Sequence, residues 1–110
     1  MSALLAGAAG ALLVGGILTM VAGLRRTPPA LVGLARALYD ANGATEALKT
    51  VEEAIQEDGR YAPAWLLLGE IQHDKGRTAR SRAAYERYLQ LEPTGDTARA
   101  VRDILGKQAR

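Results

Sequence analysis

Cysteine is absent from the 110 residues of this chain. Without it the protein can form no disulfide bond, no thiolate metal site and no cysteine nucleophile. The folded state must therefore be stabilised by the packing of its side chains, with no covalent cross-link to help it.

Histidine is scarce as well, because His73 is the only one. Glu70 lies three residues before it and Asp74 follows it directly, and a Glu and a His at this spacing form half of the di-metal sites of some helical bundles. The sequence has no second histidine with which to complete such a site. We therefore expect no catalytic residue, no metal site and no cofactor, and we expect that the protein is not an enzyme.

A strong excess of positive charge is also missing, since the formal net charge is +2. The stretch RTARSR from Arg77 to Arg82 is rich in arginine but has no interleaved aromatic residue, so we expect no nucleic-acid partner. Residues 27–59 carry two basic and six acidic side chains, whereas residues 60–110 carry ten basic and six acidic ones. We interpret both halves as solvated helix surfaces, with anionic membrane lipid as the favoured contact of the arginines.

Charged residues are absent from the whole run between Ala3 and Leu24. As a helix this run is about 33 Å long, enough to cross a hydrocarbon core of about 30 Å. Only Met1 and Ser2 precede it, whereas Arg25 and Arg26 follow it, which favours a transmembrane anchor over a cleaved signal peptide. The sequence thus predicts a single-pass anchor over residues 1–26, with the rest of the chain on the cytoplasmic side.

Small residues recur every four positions within this predicted anchor, at Gly7, Ala11, Gly15 and Thr19. Such a ridge allows two helices to approach closely in lipid. It predicts a packing surface for a homo-oligomer or for a larger membrane protein. The alternative is that glycine and alanine are simply common in membrane helices.

Beyond the anchor, residues 27–110 show the apolar spacing of five amphipathic helices of ordinary length. Breakers separate them at "ANG", at Asp58–Gly59, at Lys75–Gly76 and at Pro93. The predicted core stripes contain Leu31, Leu34, Ala35 and Leu38; Ala47, Leu48, Val51, Ala54 and Ile55; Trp65, Leu68, Gly69 and Ile71; Ala84, Tyr85, Tyr88 and Leu89; and Ala98, Val101 and Leu105.

The pattern repeats when the chain is shifted against itself so that Leu31 falls on Trp65. The same shift aligns Leu34 with Leu68, Ala35 with Gly69, Ala47 with Ser81 and Val51 with Tyr85. Small residues thus align with small residues, and large ones with large ones. These spacings predict two helical pairs, residues 28–61 and 62–95, followed by a capping helix over 96–110.

The second pair resembles the tetratricopeptide repeat family through Trp65, Leu68, Gly69, Ser81, Tyr85 and Pro93. It departs from the family pattern at Gln72, where an aromatic residue is usual, and at Tyr88, where alanine is usual. The resemblance implies an all-α stack of helix–turn–helix repeats in which the matching residues are structural. It also implies that a partner protein binds the exposed inner faces of the first helices. The residues predicted there are Val32, Arg36 and Tyr39, and Leu66, Glu70 and His73, with Asp40 and Asp74 beside them.

From these features we expect a membrane-anchored adaptor or accessory subunit that mediates protein–protein interaction or the assembly of a membrane complex. One alternative is a purely structural subunit that is buried in a large membrane complex. Another is a periplasmic repeat protein with an uncleaved signal anchor that assists assembly. The expected partners are a protein, preferably a membrane protein, and membrane lipid.

Overall fold

The computed structural model describes residues 27–110, which form five α-helices. They are α1 Pro28–Asp40, α2 Ala44–Glu57, α3 Ala62–Asp74, α4 Thr78–Leu91 and α5 Asp96–Gln108. The prediction of an all-α helical repeat stack is confirmed. The predicted anchor over residues 1–26, with its ridge of Gly7, Ala11, Gly15 and Thr19, lies outside the described residues. None of α1 to α5 is long and apolar enough to cross a membrane.

The turns between paired helices use the same local chemistry in both repeats. Asn42 and Gly76, at equivalent positions of the two repeats, both adopt a left-handed backbone conformation, with φ of 67° and 74°. This conformation ends each first helix and brings the next amide back onto it: Gly43 N donates to Leu38 O at 2.7 Å and Arg77 N donates to Gln72 O at 2.9 Å. Asparagine and glycine are the residues that adopt this conformation most readily.

The helices pack in pairs, α1 with α2 and α3 with α4, and α3 also contacts both helices of the first pair. The core between the two pairs is apolar and rich in small side chains, which let the helix backbones approach. Its buried members are Leu31, Ala35, Ala47, Val51, Ala54, Ala64, Leu67 and Ile71.

A tight contact joins α3 to α4. A Cβ atom built on Gly69 would lie 2.6 Å from two ring carbons of Tyr85, so only glycine fits there against the ring. Ser81 is fully buried and its hydroxyl donates to Gly69 O at 2.9 Å. Trp65 is only half-buried, and its indole Nε1 donates to Gly59 O at 2.9 Å. Tyr85 therefore fills the interior of the pair, whereas Trp65 ties α3 to the turn before it.

Helix α5, the predicted capping helix, packs against α4 through Ala98 and Val101, both buried. Its other faces are charged and exposed, with ion pairs between Arg99 and Asp96 and between Lys107 and Asp103. A helix with one apolar side and several polar ones is what a stack of repeats needs at its end.

Two core predictions were wrong. Leu34 was expected inside but is 42% exposed, and Leu67, which the predicted stripe omitted, is only 1% exposed. In the second repeat, Leu67 and Leu68 pack against the first repeat. In the part of the chain that the structure describes, no helix precedes α1 to cover Leu34 in the same way.

Candidate protein-binding surface

The six residues predicted for partner binding divide equally between two neighbouring helices. Val32, Arg36 and Tyr39 lie on α1, and Leu66, Glu70 and His73 lie on α3. These helices run side by side because small residues line the core beneath them. Each helix contributes the same positions of its repeat, so the side chains form two matching rows.

Two polar contacts connect the rows. Arg36 Nη1 lies 2.8 Å from Glu70 Oε2, and the Tyr39 hydroxyl donates to a carboxylate oxygen of Asp74. The structure therefore brings Arg36, Tyr39, Glu70 and Asp74 together along the line where α1 meets α3. We call this area, with Val32 and Leu66, the α1–α3 surface.

The charged groups of the α1–α3 surface remain accessible to water. The side chains of Arg36 and Glu70 are 44% and 34% exposed. The hydrogen bond to Glu70 is the main cause of a raised pKa of the Arg36 guanidinium. Because exposed ion pairs contribute little to stability, both groups can exchange their mutual contact for one with a partner at small cost.

The apolar part of the surface is anchored in the two cores. Val32 is half-buried against the core between the two helical pairs. Leu66 is half-buried against a second cluster of buried residues, Ala62, Tyr85, Tyr88 and Val101. In that second cluster, burial together with the carboxylates of Glu70 and Asp74 raises the pKa of Tyr85 to about 12. The surface thus combines partly exposed aliphatic side chains with a row of charged and hydroxyl groups, a combination suited to a polypeptide ligand.

His73 lies apart from this row. Its Nδ1 is 3.0 Å from Gln108 Nε2 of α5, and its ring lines a cavity of about 450 Å³. The other lining residues are Thr78, Ile104, Lys107 and Gln108. His73 therefore faces the capping helix.

The residues that α5 contributes were missed by the sequence reasoning, although a signal for them existed. A second shift by one repeat length aligns Glu70 with Ile104 and His73 with Lys107. Helix α5 thus takes the position that α1 and α3 take in their repeats, that of the first helix, and its residues continue the rows of α1 and α3. Because most of its positions are polar, the repeat pattern is hard to recognise there.

Within residues 27–110, no three His, Asp or Glu side chains lie close enough together to hold a metal ion. The α1–α3 surface offers hydrogen bonding, ion pairing and apolar contact. This is the chemistry of recognition between proteins.

Comparison with known proteins supports this description. The profile of the tetratricopeptide repeat matches residues 32–102. The chain is 41% identical over 56 residues to the human protein O-mannosyl-transferase TMTC1, covering 51% of this chain and 6% of that protein. It is 40% identical over 50 residues to the peroxisomal targeting signal receptor of Komagataella phaffii, covering 46% of this chain and 9% of the receptor. It is 28% identical over 72 residues to the TPR repeat-containing protein PA0015 of Pseudomonas aeruginosa, covering 66% of this chain and 69% of that protein. The chain thus spans less than a tenth of the length of the first two relatives.

Proposed function

Since this chain belongs to the tetratricopeptide repeat family, whose repeats bind other proteins, we propose that it is a non-catalytic adaptor whose α1–α3 surface binds a partner protein. The observation that carries this proposal is the two exposed contacts between α1 and α3, the ion pair of Arg36 with Glu70 and the hydrogen bond from Tyr39 to Asp74. These side chains can offer hydrogen bonds to a partner, while Val32 and Leu66 offer apolar contact beside them.

A surface built on two repeats is small, near the low end of specific interfaces, so that a single binding event is weak. The proposed anchor over residues 1–26 compensates by raising the effective concentration of the adaptor at the membrane. The uncharged run from Ala3 to Leu24, followed by Arg25 and Arg26, supports this anchor and a cytoplasmic position of the repeats. The favoured partner is then a membrane protein, with anionic lipid in contact with the arginines.

The test of partner binding compares two exposed ion pairs. Tagged full-length protein is purified from gently solubilised membranes as wild type, as the Arg36→Ala/Glu70→Ala variant, and as the Arg99→Ala/Asp96→Ala control. We expect that the wild type and the control bring down the partner and that the first variant loses most of it, with unchanged circular dichroism. If the first variant keeps the partner while alanines at Arg77, Arg80 and Arg82 remove it, the binding surface lies at the start of α4.

The same purification separates an adaptor from a purely structural subunit. A structural subunit leaves the membrane in a stoichiometric complex that survives washing, because its contacts are permanent. An adaptor leaves in substoichiometric amounts that depend on protein concentration. A permanent complex that the Arg36→Ala/Glu70→Ala variant does not weaken would favour the structural alternative.

The proposed orientation has its own test, which benefits from the lack of cysteine. Single cysteines replace Ser2 or Arg110, and intact cells receive a thiol reagent that does not cross membranes. The proposal expects labelling at position 2 and none at position 110 until the cells are opened. The reverse result would favour the periplasmic alternative.

Self-association through Gly7, Ala11, Gly15 and Thr19 is tested by Gly15→Ile, which adds bulk to the ridge, against Leu13→Ile on another side of the predicted helix. We expect that cross-linking in membranes falls only for Gly15→Ile, because close packing of membrane helices depends on small residues. Equal cross-linking of both variants would assign the ridge to composition alone.

A further inference from the structure

Helix α5 is held against α4 but stands away from α3. No Cα atom of α5 lies within 8 Å of one in α3, whereas α1 and α3 do approach each other that closely. The space between α3, the start of α4 and the end of α5 is the cavity of about 450 Å³ beside His73 and Lys107. Helix α5, which takes the position of the first helix of a third repeat, is therefore separated from α3 by a cleft. Helices α1 and α3, the first helices of the two repeats, pack directly against each other.

Gln108 spans this cleft near its end. Its Nε2 lies 3.1 Å from Ser81 Oγ and 3.0 Å from His73 Nδ1. The single hydroxyl hydrogen of Ser81 is already donated to Gly69 O. Ser81 must therefore accept from Gln108, and the second Nε2 hydrogen is directed at His73 Nδ1. One amide nitrogen thus connects the last turn of α5 to both α3 and α4.

This closed arrangement is incompletely satisfied. Gln108 Oε1 is buried and has no hydrogen-bond partner in the part of the chain that the structure describes. A buried carbonyl in that state has lost its hydration without compensation. Opening the last turn would return water to Oε1, and that gain offsets part of the loss of the two Nε2 contacts.

The helix is also weak where it would have to bend. Gly106 lies two residues before Gln108, is exposed, and has no atom within 4 Å of the position of an added Cβ. No packing contact therefore requires glycine there, and glycine in a helix interior favours the unfolded backbone. The residues that follow it in α5 are held by Gln108 and by the exposed pair of Lys107 with Asp103.

We propose that residues 106–110 form a latch that opens at Gly106 and widens the cleft between α3 and α5. The closed state is held by Gln108 on Ser81 and His73. Opening frees His73 Nδ1 and widens the cleft at the end of the α1–α3 surface. The motion itself follows from the contacts within α3, α4 and α5, whereas its use in admitting a partner rests on the function proposed above.

The motion is tested by amide hydrogen exchange on the full chain in mild detergent, with no partner present. Gln108→Ala removes both Nε2 contacts, and we expect amides 107–110 to exchange about fivefold faster or more, with α1 to α3 unchanged. Exchange that stays within about twofold of wild type would overturn the latch, because Gln108 would then hold nothing. A uniform increase over all five helices would also overturn it, because Gln108 would then support the whole fold.

A second variant has the opposite expected sign and does not depend on the first. Gly106→Ala adds helix propensity without a clash, and we expect amides 107–110 to exchange about fivefold more slowly. Gly33→Ala is the matched control, because Gly33 is also an exposed helical glycine with no atom near an added Cβ. The control should leave α5 unchanged. Gly106 would not be the hinge if Gly33→Ala slowed exchange in α5, or if Gly106→Ala left the exchange of amides 107–110 unchanged. Since no partner takes part, these results are independent of the purification experiment.

Discussion

The two repeats solve the same packing problem with different pairs of side chains. In the first repeat, Ala35 and Val51 occupy the positions that Gly69 and Tyr85 occupy in the second. All four are buried, but in the second repeat the large ring of Tyr85 lies directly against Gly69, where a methyl group would clash. Thus the repeat with the smaller residue on its first helix, Gly69, has the larger residue on its second helix, Tyr85.

This comparison indicates that the two facing residues of a helical pair are matched in size to each other. Interiors are filled to nearly constant density, so a gain of volume on one helix requires a loss on its neighbour. Tyr85 is the largest fully buried side chain within residues 27–110. At this pair of positions the second repeat therefore buries one large ring against a glycine, whereas the first repeat buries the two smaller side chains of Ala35 and Val51.

The largest expected effect comes from truncating the equivalent buried side chains of the two repeats, Tyr85 and Val51, to alanine. Tyr85→Ala should lower the free energy of unfolding by about 3 to 5 kcal/mol, because it removes a buried ring and leaves a cavity. Val51→Ala, at the equivalent position, should cost about 2 kcal/mol. Urea unfolding followed by circular dichroism measures both. Equal losses would contradict the larger contribution of position 85 than of position 51.

The pairing itself is tested by exchanging one repeat's residues for the other's. Gly69→Ala should cost about 2 kcal/mol, since the new Cβ would lie 2.6 Å from a ring that has no free space. In a Tyr85→Val background the same change should cost nothing, because the pair then matches Ala35 and Val51. A double-mutant cycle gives the coupling energy. Additive effects would show that the two positions are independent.

The sequence was sufficient for the repeats and for the helix ends, since both depend on local signals. Small residues at equivalent positions of the repeats, and Asn42 and Gly76 in equivalent turns, carry that information. It was insufficient for Leu34, because within residues 27–110 no helix covers that residue as the first repeat covers Leu68. It also placed Trp65 and Tyr85 alike in the core, whereas Trp65 is only half-buried and Tyr85 is fully buried.

The candidate site was predictable in part for the same reason. Arg36, Tyr39 and Glu70 meet because α1 and α3 repeat the same positions, which the alignment of the two repeats indicated. The contact of His73 with Gln108 was missed, because it reaches into a helix whose polar positions make the repeat hard to recognise. Such a contact depends on how far α5 stands from α3, which no local signal encodes.

The buried ring also predicts a difference between the repeats at alkaline pH. The pKa of Tyr85 is raised to about 12, chiefly by burial and then by Glu70 and Asp74. The folded pKa exceeds the unfolded value of about 10. The stability that the neutral phenol of Tyr85 contributes is therefore fully present below pH 10 and is lost as the pH rises toward 12. We expect a loss of about 2 kcal/mol by pH 12, which Tyr85→Phe removes. Tyr61→Phe, in a half-buried tyrosine, is the control, and the same benefit from both changes would contradict the assignment.

The smallest expected effect concerns the ion pair that joins the repeats. Arg36 and Glu70 belong to different repeats, yet their exposure of 44% and 34% keeps both in contact with water. A double-mutant cycle with Arg36→Ala and Glu70→Ala should therefore give a coupling of less than about 1 kcal/mol, and added salt should reduce it further. The pair of Lys107 with Asp103, which lies within one helix, gives the matched reference.

A coupling between Arg36 and Glu70 well above the range of exposed ion pairs would mean that this pair holds the two repeats together. Loss of partner binding in the double variant would then reflect a displaced α1, and the binding surface would have to be tested again with Tyr39→Phe, which removes one hydroxyl and leaves the stack intact.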